Sequence, residues 1–258
     1  MKACEIVEAL KSVASVDAEK TCDTYKAGDP RREVKRIAVC MMADVELLRR
    51  IIEWGADLLV VHEPLYYNHM DHHSEETVES EKRALIEGSG MVVFRYHDYP
   101  HRAAEDMIHS GMLEAMRLEG KATHELYRMK VELDAPTTPE ELARKLKELL
   151  RMRFVRVAGA WDQPCTKISC VCGAGGGMLE LLKSDDTEIL IGGENREWDL
   201  CEYARDAAAL GHRKSVIMLG HIASEREGMR YISQWIEKSF PETEVRYFES
   251  DEVYRIVV

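Results

Sequence analysis

The sequence predicts an α/β fold of two lobes, each a mixed sheet flanked by helices. Short apolar runs of β-forming residues alternate with helical patterns along the whole chain, as strands joined by crossover helices do. The second half repeats the texture of the first. With 258 residues and 45% hydrophobic composition, the chain can fill two cores, because domains commonly run to about 100–200 residues.

Ile6, Leu10 and Val13 recur at helical spacing, and Gly28, Asp29 and Pro30 break the pattern. A run from Ile37 to Met42 reads as a strand. Asp44 then caps a helix that carries Leu48 and Ile52 and stops at Gly55, and a second strand follows from Leu58 to His62. A helix from Glu75 to Glu87, a strand from Met91 to Arg95 and a helix from about Pro100 to Leu118 continue the alternation. The lobe boundary is expected near Gly120 to Thr123, giving lobes 1–123 and 124–258.

In the second lobe, Tyr127 to Leu133 alternates as a strand. Thr138-Pro139-Glu140-Glu141 is a capping box with proline at the first helical position, so a helix with Leu142, Leu146 and Leu149 facing inward should follow. Further strands are expected at Phe154 to Ala158, Ile168 to Val171, Glu188 to Ile191, Ser215 to Leu219 and Val245 to Phe248, with helices from about Met178, Glu197 and Glu225. The turn Gly173-Ala174-Gly175-Gly176-Gly177 lacks the Gly-Lys-Ser/Thr ending of a nucleotide loop and misses the dinucleotide spacing, so it reads as a tight strand-to-helix connection.

A formal charge of −12 disfavours a nucleic-acid surface, since such affinity rests on Lys and Arg neutralising phosphates. Met1 to Ser12 is amphipathic and lacks the continuous apolar run of a leader or a membrane span, so a cytoplasmic protein without a membrane partner is expected. Seven cysteines at irregular spacing argue for reduced thiols. Cys170 and Cys172 share one face of a strand, and they read as small buried hydrophobes in the absence of a second pair at zinc-finger spacing.

Histidines and carboxylates gather where three of these strands end: His62-Glu63, His97-Asp98 with His101, and His221 with Glu225. Open α/β sheets bind ligands beyond the carboxyl ends of their strands. Imidazole and carboxylate drawn from distant segments suit a catalytic Zn, Mn, Fe or Ni centre. Each segment also has a plain reading, as a satisfied core histidine or a helix-dipole charge; the threefold recurrence favours a metal site, with Glu63 and Glu225 able to bridge two ions. Ser224 with Glu227 reads as a capping box that puts Glu225 in the first turn of the last helix. His69, Asp71, His72 and His73 form a loop cluster that could bind metal or line an entrance.

Gly55 to His62, His97 to His101, Gly193-Glu194 and Gly220-His221-Ile222-Ala223-Ser224-Glu225-Arg226 together resemble the Nif-three-like dinuclear-metal-centre family, also described as GTP cyclohydrolase-type homologues. The resemblance implies two divalent ions held in the cleft between two α/β lobes, with metal ligands His62, Glu63, His101, His221 and Glu225, and subunits assembled as homohexamers. His97, Asp98 and Ser224 are secondary candidates. Glu63 stands where the family has the second of two adjacent histidines, and His101 where it has an aspartate; the exchange leaves three imidazoles and two carboxylates. The implied function is a metal-dependent hydrolase acting on a nucleotide-like or cyclic small molecule, with Glu63 or Glu194 as general base. The alternative is a metal-binding scaffold or regulatory partner without catalysis.

Overall fold

A computed structural model describes residues 1–257. The chain opens with helix α1 (Ala3–Lys11), strand β1 (Tyr25–Ala27) and strand β2 (Arg36–Cys40). Helix α2 (Val45–Trp54) follows, capped by the Asp44 carboxylate on Leu47 N and ended by Gly55 at φ 78°. A left-handed residue there is what glycine permits most readily. Strand β3 (Leu58–Val61), helix α3 (Thr77–Ser89), strand β4 (Val92–Arg95) and a single helical turn, α4 (Asp98–His101), complete this stretch.

The helix expected from Pro100 to Leu118 is broken. The chain leaves α4 at Arg102 and becomes helical again only at α5 (Met107–Met116). Ala103, Ala104 and Glu105 are good helix formers, so local propensity does not account for the break. The His101 ring instead bonds the Asp106 carboxylate at 2.8 Å, a contact that replaces continuation of the helix.

The second sheet begins with strand β5 (Gly120–Glu125), paired antiparallel to β6 (Arg128–Thr137). The boundary expected at Thr123 thus falls inside a strand. Helix α6 (Pro139–Leu149) starts at the Thr138 capping box, although Leu150 rather than Leu149 is the buried residue at its end. Strands β7 (Arg156–Gly159) and β8 (Cys165–Val171), helix α7 (Met178–Lys183) and strand β9 (Ile189–Gly192) come next. A π-helical turn (Glu197–Cys201) then runs into helix α8 (Glu202–Ala209), and strand β10 (Ser215–Met218) leads to a 3-10 turn (Ile222–Ser224).

Helix α9 (Arg226–Ser239) carries the chain onward to strand β11 (Glu244–Tyr247). That strand pairs in parallel with β2, Val245 opposite Ile37. The chain therefore divides into two compact units, Met1–Met107 with Gly228–Val258, and Ile108–Glu227. A C-terminal segment that completes a sheet begun two hundred residues earlier leaves no local signature in sequence.

Both sheets are mixed. The first has the order β1-β4-β3-β2-β11 and is parallel except for β1 against β4; the second runs β5-β6-β8-β9-β10-β7, with β8, β9 and β10 parallel. Strand alternation sends residues to opposite faces. In β9 this places Ile189 and Ile191 among side chains that include Leu142 and Leu146 of α6, while Leu190 meets Leu181 and Leu182 of α7 and Ala204 of α8. In the first unit, Leu47, Leu48 and Ile51 of α2 cover Ala38, Leu59 and Val93. No helix among the described residues is long and apolar enough to cross a membrane, and no disulfide joins any of the cysteines.

Candidate metal centre

In the first unit the ends of β3 and β4 bring three imidazoles together. The rings of His62 and His97 stack at 4.6 Å, and that of His101 stands edge-on to both, at 5.2 and 5.3 Å. One nitrogen from each lies within 4.8 Å of the others. His62 follows directly from the fully buried run Leu58–Val61, so the strand that fills the core also delivers the ring to its end. His97 and His101 sit at the start and finish of the single turn of α4.

Each ring is fixed by an oxygen at Nδ1. His62 Nδ1 donates to the Tyr96 carbonyl at 3.1 Å, and His101 Nδ1 donates to Asp106 at 2.8 Å. His97 Nδ1 faces Asp98 Oδ1 at 3.0 Å. A carbonyl cannot donate, so the tautomer of His62 is settled: the proton is at Nδ1 and the lone pair at Nε2. This is the arrangement found behind ligating histidines, where a second oxygen orients the ring and raises its basicity. Burial lowers the pKa of His97, and the neighbouring His62 and His101 lower it further, against the opposing pull of Asp98 and Glu63. The ring is thereby kept in the neutral form that binds cations.

Asp98 is held well below the ordinary carboxylate range. Burial opposes this, but hydrogen bonds from His97, the Thr21 hydroxyl and Cys22 N outweigh it. Asp98 therefore orients His97, and Cys22 completes a second grouping with these two residues; burial pushes its thiol pKa well up.

Asp23, which the sequence gave no reason to single out, accepts the backbone N–H groups of His97, Asp98 and Tyr99 at 2.8, 2.9 and 3.0 Å. It fixes the whole turn from a loop more than seventy residues away. Only an acidic residue soon after α1 could have hinted at it, and such residues are too common to carry a signal.

Glu63 is buried with its two oxygens facing different partners. Oε1 lies 3.8 Å from His97 Nε2, and Oε2 lies 3.6 Å from the guanidinium of Arg95, which is completely buried. The loop that follows is pinned by Asp71, at φ 60°. Its carboxylate accepts Tyr66 N at 2.8 Å and pairs with Lys26 and Arg95 at 3.6 and 3.7 Å. Of the loop histidines, His69 lies edge-on to His97 at 5.5 Å, whereas His73 turns to Arg83.

In the second unit His221 stands between two carboxylates. Its Nδ1 is 3.1 Å from Glu194 Oε1 and its Nε2 is 3.3 Å from Glu225 Oε2. A neutral ring that donates at one nitrogen accepts at the other, so His221 can bond one of these carboxylates through each nitrogen only when both nitrogens carry a proton. Glu225 does not sit in the first turn of α9, as the capping-box reading expects; it lies just before that helix, at φ −135°. Ser224 does not cap α9 either. Its hydroxyl donates to His221 O at 2.8 Å and accepts Gly173 N at 2.9 Å, while Glu227 pairs with Arg151.

The glycine turn is shaped by this carboxylate. Gly173 has φ +60°, and a Cβ there would lie 2.6 Å from Glu225 Oε1. A Cβ on Gly193 would meet Gly173 O at 2.1 Å. A positive φ beside the Glu225 carboxylate accounts for Gly173, and close backbone approach accounts for Gly193.

Oriented imidazoles with buried carboxylates beside them form a donor set suited to divalent transition metals, so the class the fold and site define is a mixed α/β protein with candidate His/Glu metal ligands. The chain belongs to the Duf34/NIF3 (NGG1p interacting factor 3) family, whose model it matches over residues 1–253. It is 26% identical over 220 residues to a GTP cyclohydrolase 1 type 2 homolog of Halobacterium salinarum, covering 83% of this chain and 84% of that one. A Pyrococcus horikoshii protein of the same name is 25% identical over 244 residues, covering 92% and 93%. Among solved structures, a Bacillus cereus protein related to NIF3 superposes with a TM-score of 0.80 at 12% identity, over 100% of this chain and 99% of the other. Reduced HcgD of Methanocaldococcus jannaschii gives a TM-score of 0.76 at 16% identity over 98% of each.

Proposed function

We propose that this chain is a metal-dependent hydrolase with a dinuclear centre, acting on a nucleotide-like or cyclic small molecule. The metal ligands in this reading are His62, Glu63 and His101 of the first unit and His221 and Glu225 of the second, with His97 as a further imidazole. The observation that carries it is the triple cluster of His62, His97 and His101, with Nδ1 of each ring held by an oxygen. Three imidazoles packed together serve no hydrophobic core, and orienting each one serves ligation. The names of the curated relatives, GTP cyclohydrolase 1 type 2 homologs, support a nucleotide-like substrate.

Two divalent ions, when bound, would activate water near neutral pH and polarise a substrate oxygen. The chain's own part is to orient the rings and to place a base. Glu194, bonded to His221 and exposed on its other side, and Glu63 are the carboxylates positioned to take a proton. A homohexameric assembly is part of the same reading, and light scattering at micromolar concentration tests it.

The activity is tested with protein reconstituted separately with Zn, Mn, Fe and Ni, assayed against nucleoside triphosphates, cyclic nucleotides and cyclic amides. Hydrolysis of at least one class that is abolished by chelation and restored by metal is the expected result. Metal binding without turnover across the panel would favour the scaffold reading.

A further inference from the structure

Arg95 is the last residue of β4 and is completely buried, yet the site described above needs no cation there. Its Nε donates to the His62 carbonyl at 3.1 Å and its Nη1 to the His69 carbonyl. The remaining arm faces Glu63 Oε2 at 3.6 Å, and Nη1 also pairs with Asp71 at 3.7 Å. A guanidinium is planar and carries donors only. Fixed by two backbone carbonyls and backed by Asp71, it cannot turn away from Glu63.

Oε2 of Glu63 therefore faces the Arg95 guanidinium as an ion pair at 3.6 Å, while Oε1 lies 3.8 Å from His97 Nε2. We infer that Arg95 is a metal-specificity residue: it restricts Glu63 to one ligating oxygen and so favours a small ion of low coordination number over a larger, oxygen-preferring one. The inference rests on the metal-centre reading above and adds to it a selection rule. Imidazole nitrogens with a single carboxylate oxygen are the N/O donors that suit tetrahedral zinc. A carboxylate free to give both oxygens would raise the coordination number and suit manganese better. Arg95 also supplies the positive charge that balances a glutamate at this position. The row of half-buried Lys26 and buried Asp71, Arg95 and Glu63 pairs two basic with two acidic side chains.

The test is the ratio of Mn to Zn dissociation constants, measured by competition with a chromophoric chelator for the full-length protein. Both ions are divalent, so a general electrostatic or folding effect moves the two constants together and leaves the ratio alone. Arg95→Lys keeps the charge but loses the fork. It should lower the Mn/Zn ratio at least about tenfold, and the shift should vanish when Glu63→Ala is added. A ratio that stays within about twofold of wild type, or that shifts equally without Glu63, overturns the inference and leaves the metal centre intact. Wild-type protein that binds neither ion removes both.

If Arg95→Lys does not fold, Glu63→Gln decides. Arg95 offers only donors and would claim the amide oxygen, turning the amide N–H groups toward the imidazoles. Glu63→Gln should then bind zinc no better than Glu63→Ala. Zinc binding by Glu63→Gln that is clearly tighter than by Glu63→Ala would mean that the side chain turns freely, and Arg95 would have no such role.

Discussion

His101 Nδ1 lies 2.8 Å from Asp106 Oδ2, and this single bond both ends α4 and aims the ring at its neighbours. Two functions meet in one contact. The chain leaves its helical course so that the carboxylate can reach back five residues, and the ring is held with Nδ1 as the donor, edge-on to His62 and His97.

Asp106→Ala should therefore weaken divalent-metal binding by about 10–100-fold, the usual cost of losing the oxygen behind a ligating histidine. Isothermal titration of wild type and variant checks this. Unchanged affinity would mean that the bond serves only the chain turn.

Gly173→Ala tests how the second unit holds Glu225. An alanine at φ +60° carries a backbone cost, and its Cβ would press on Glu225 Oε1 at 2.6 Å. The variant should be destabilised by about 1–3 kcal/mol and should also lose metal affinity, because the carboxylate must move. Chemical denaturation and metal titration measure the two effects separately.

Asp57 is a stability site outside the candidate metal centre. Its carboxylate accepts Lys35 N and Arg36 N at 2.9 and 3.1 Å and pairs with Arg32 at 2.9 Å, tying the start of β2 to the start of β3. Burial raises its pKa, but these donors outweigh it and leave the pKa below its ordinary value. A depressed folded pKa gives stability that is complete above the unfolded value of about 3.9 and is lost as pH falls through the folded one. Asp57→Asn should cost about 1 kcal/mol at neutral pH, and the gap to wild type should narrow as pH falls below about 4. Denaturation at pH 7 and pH 3 measures it, and a gap as large at pH 3 as at pH 7 would contradict the account.

What the sequence revealed depended on how local the cause was. Leu58 to Val61 is apolar at every position, and such a run reads as a buried strand, so His62 could be placed at its end. The same logic placed His97 and His221. β5 went unseen because its residues, Gly120 to Glu125, are polar and exposed or only half-buried; it is an edge strand that pairs with β6 alone. The roles of Asp23, Asp106 and Arg95 could not be read either, since each depends on a bond across a turn or across tens of residues. The capping-box pattern at Ser224 was genuine as a pattern, but Gly173 N claimed the hydroxyl. For the same reason, residue types at strand ends identified candidate ligands, while the oxygens that orient them emerged only from the fold.

The central claim is that these histidines and carboxylates hold divalent metal, and metal content tests it most directly. Wild-type protein loaded with Zn or Mn, desalted and analysed by elemental mass spectrometry should retain about two ions per chain for a dinuclear centre. His62→Ala and His101→Ala should each lower that number while leaving the circular-dichroism spectrum unchanged. Retention of no divalent ion by the wild type, or the same number in all three proteins, would contradict the account.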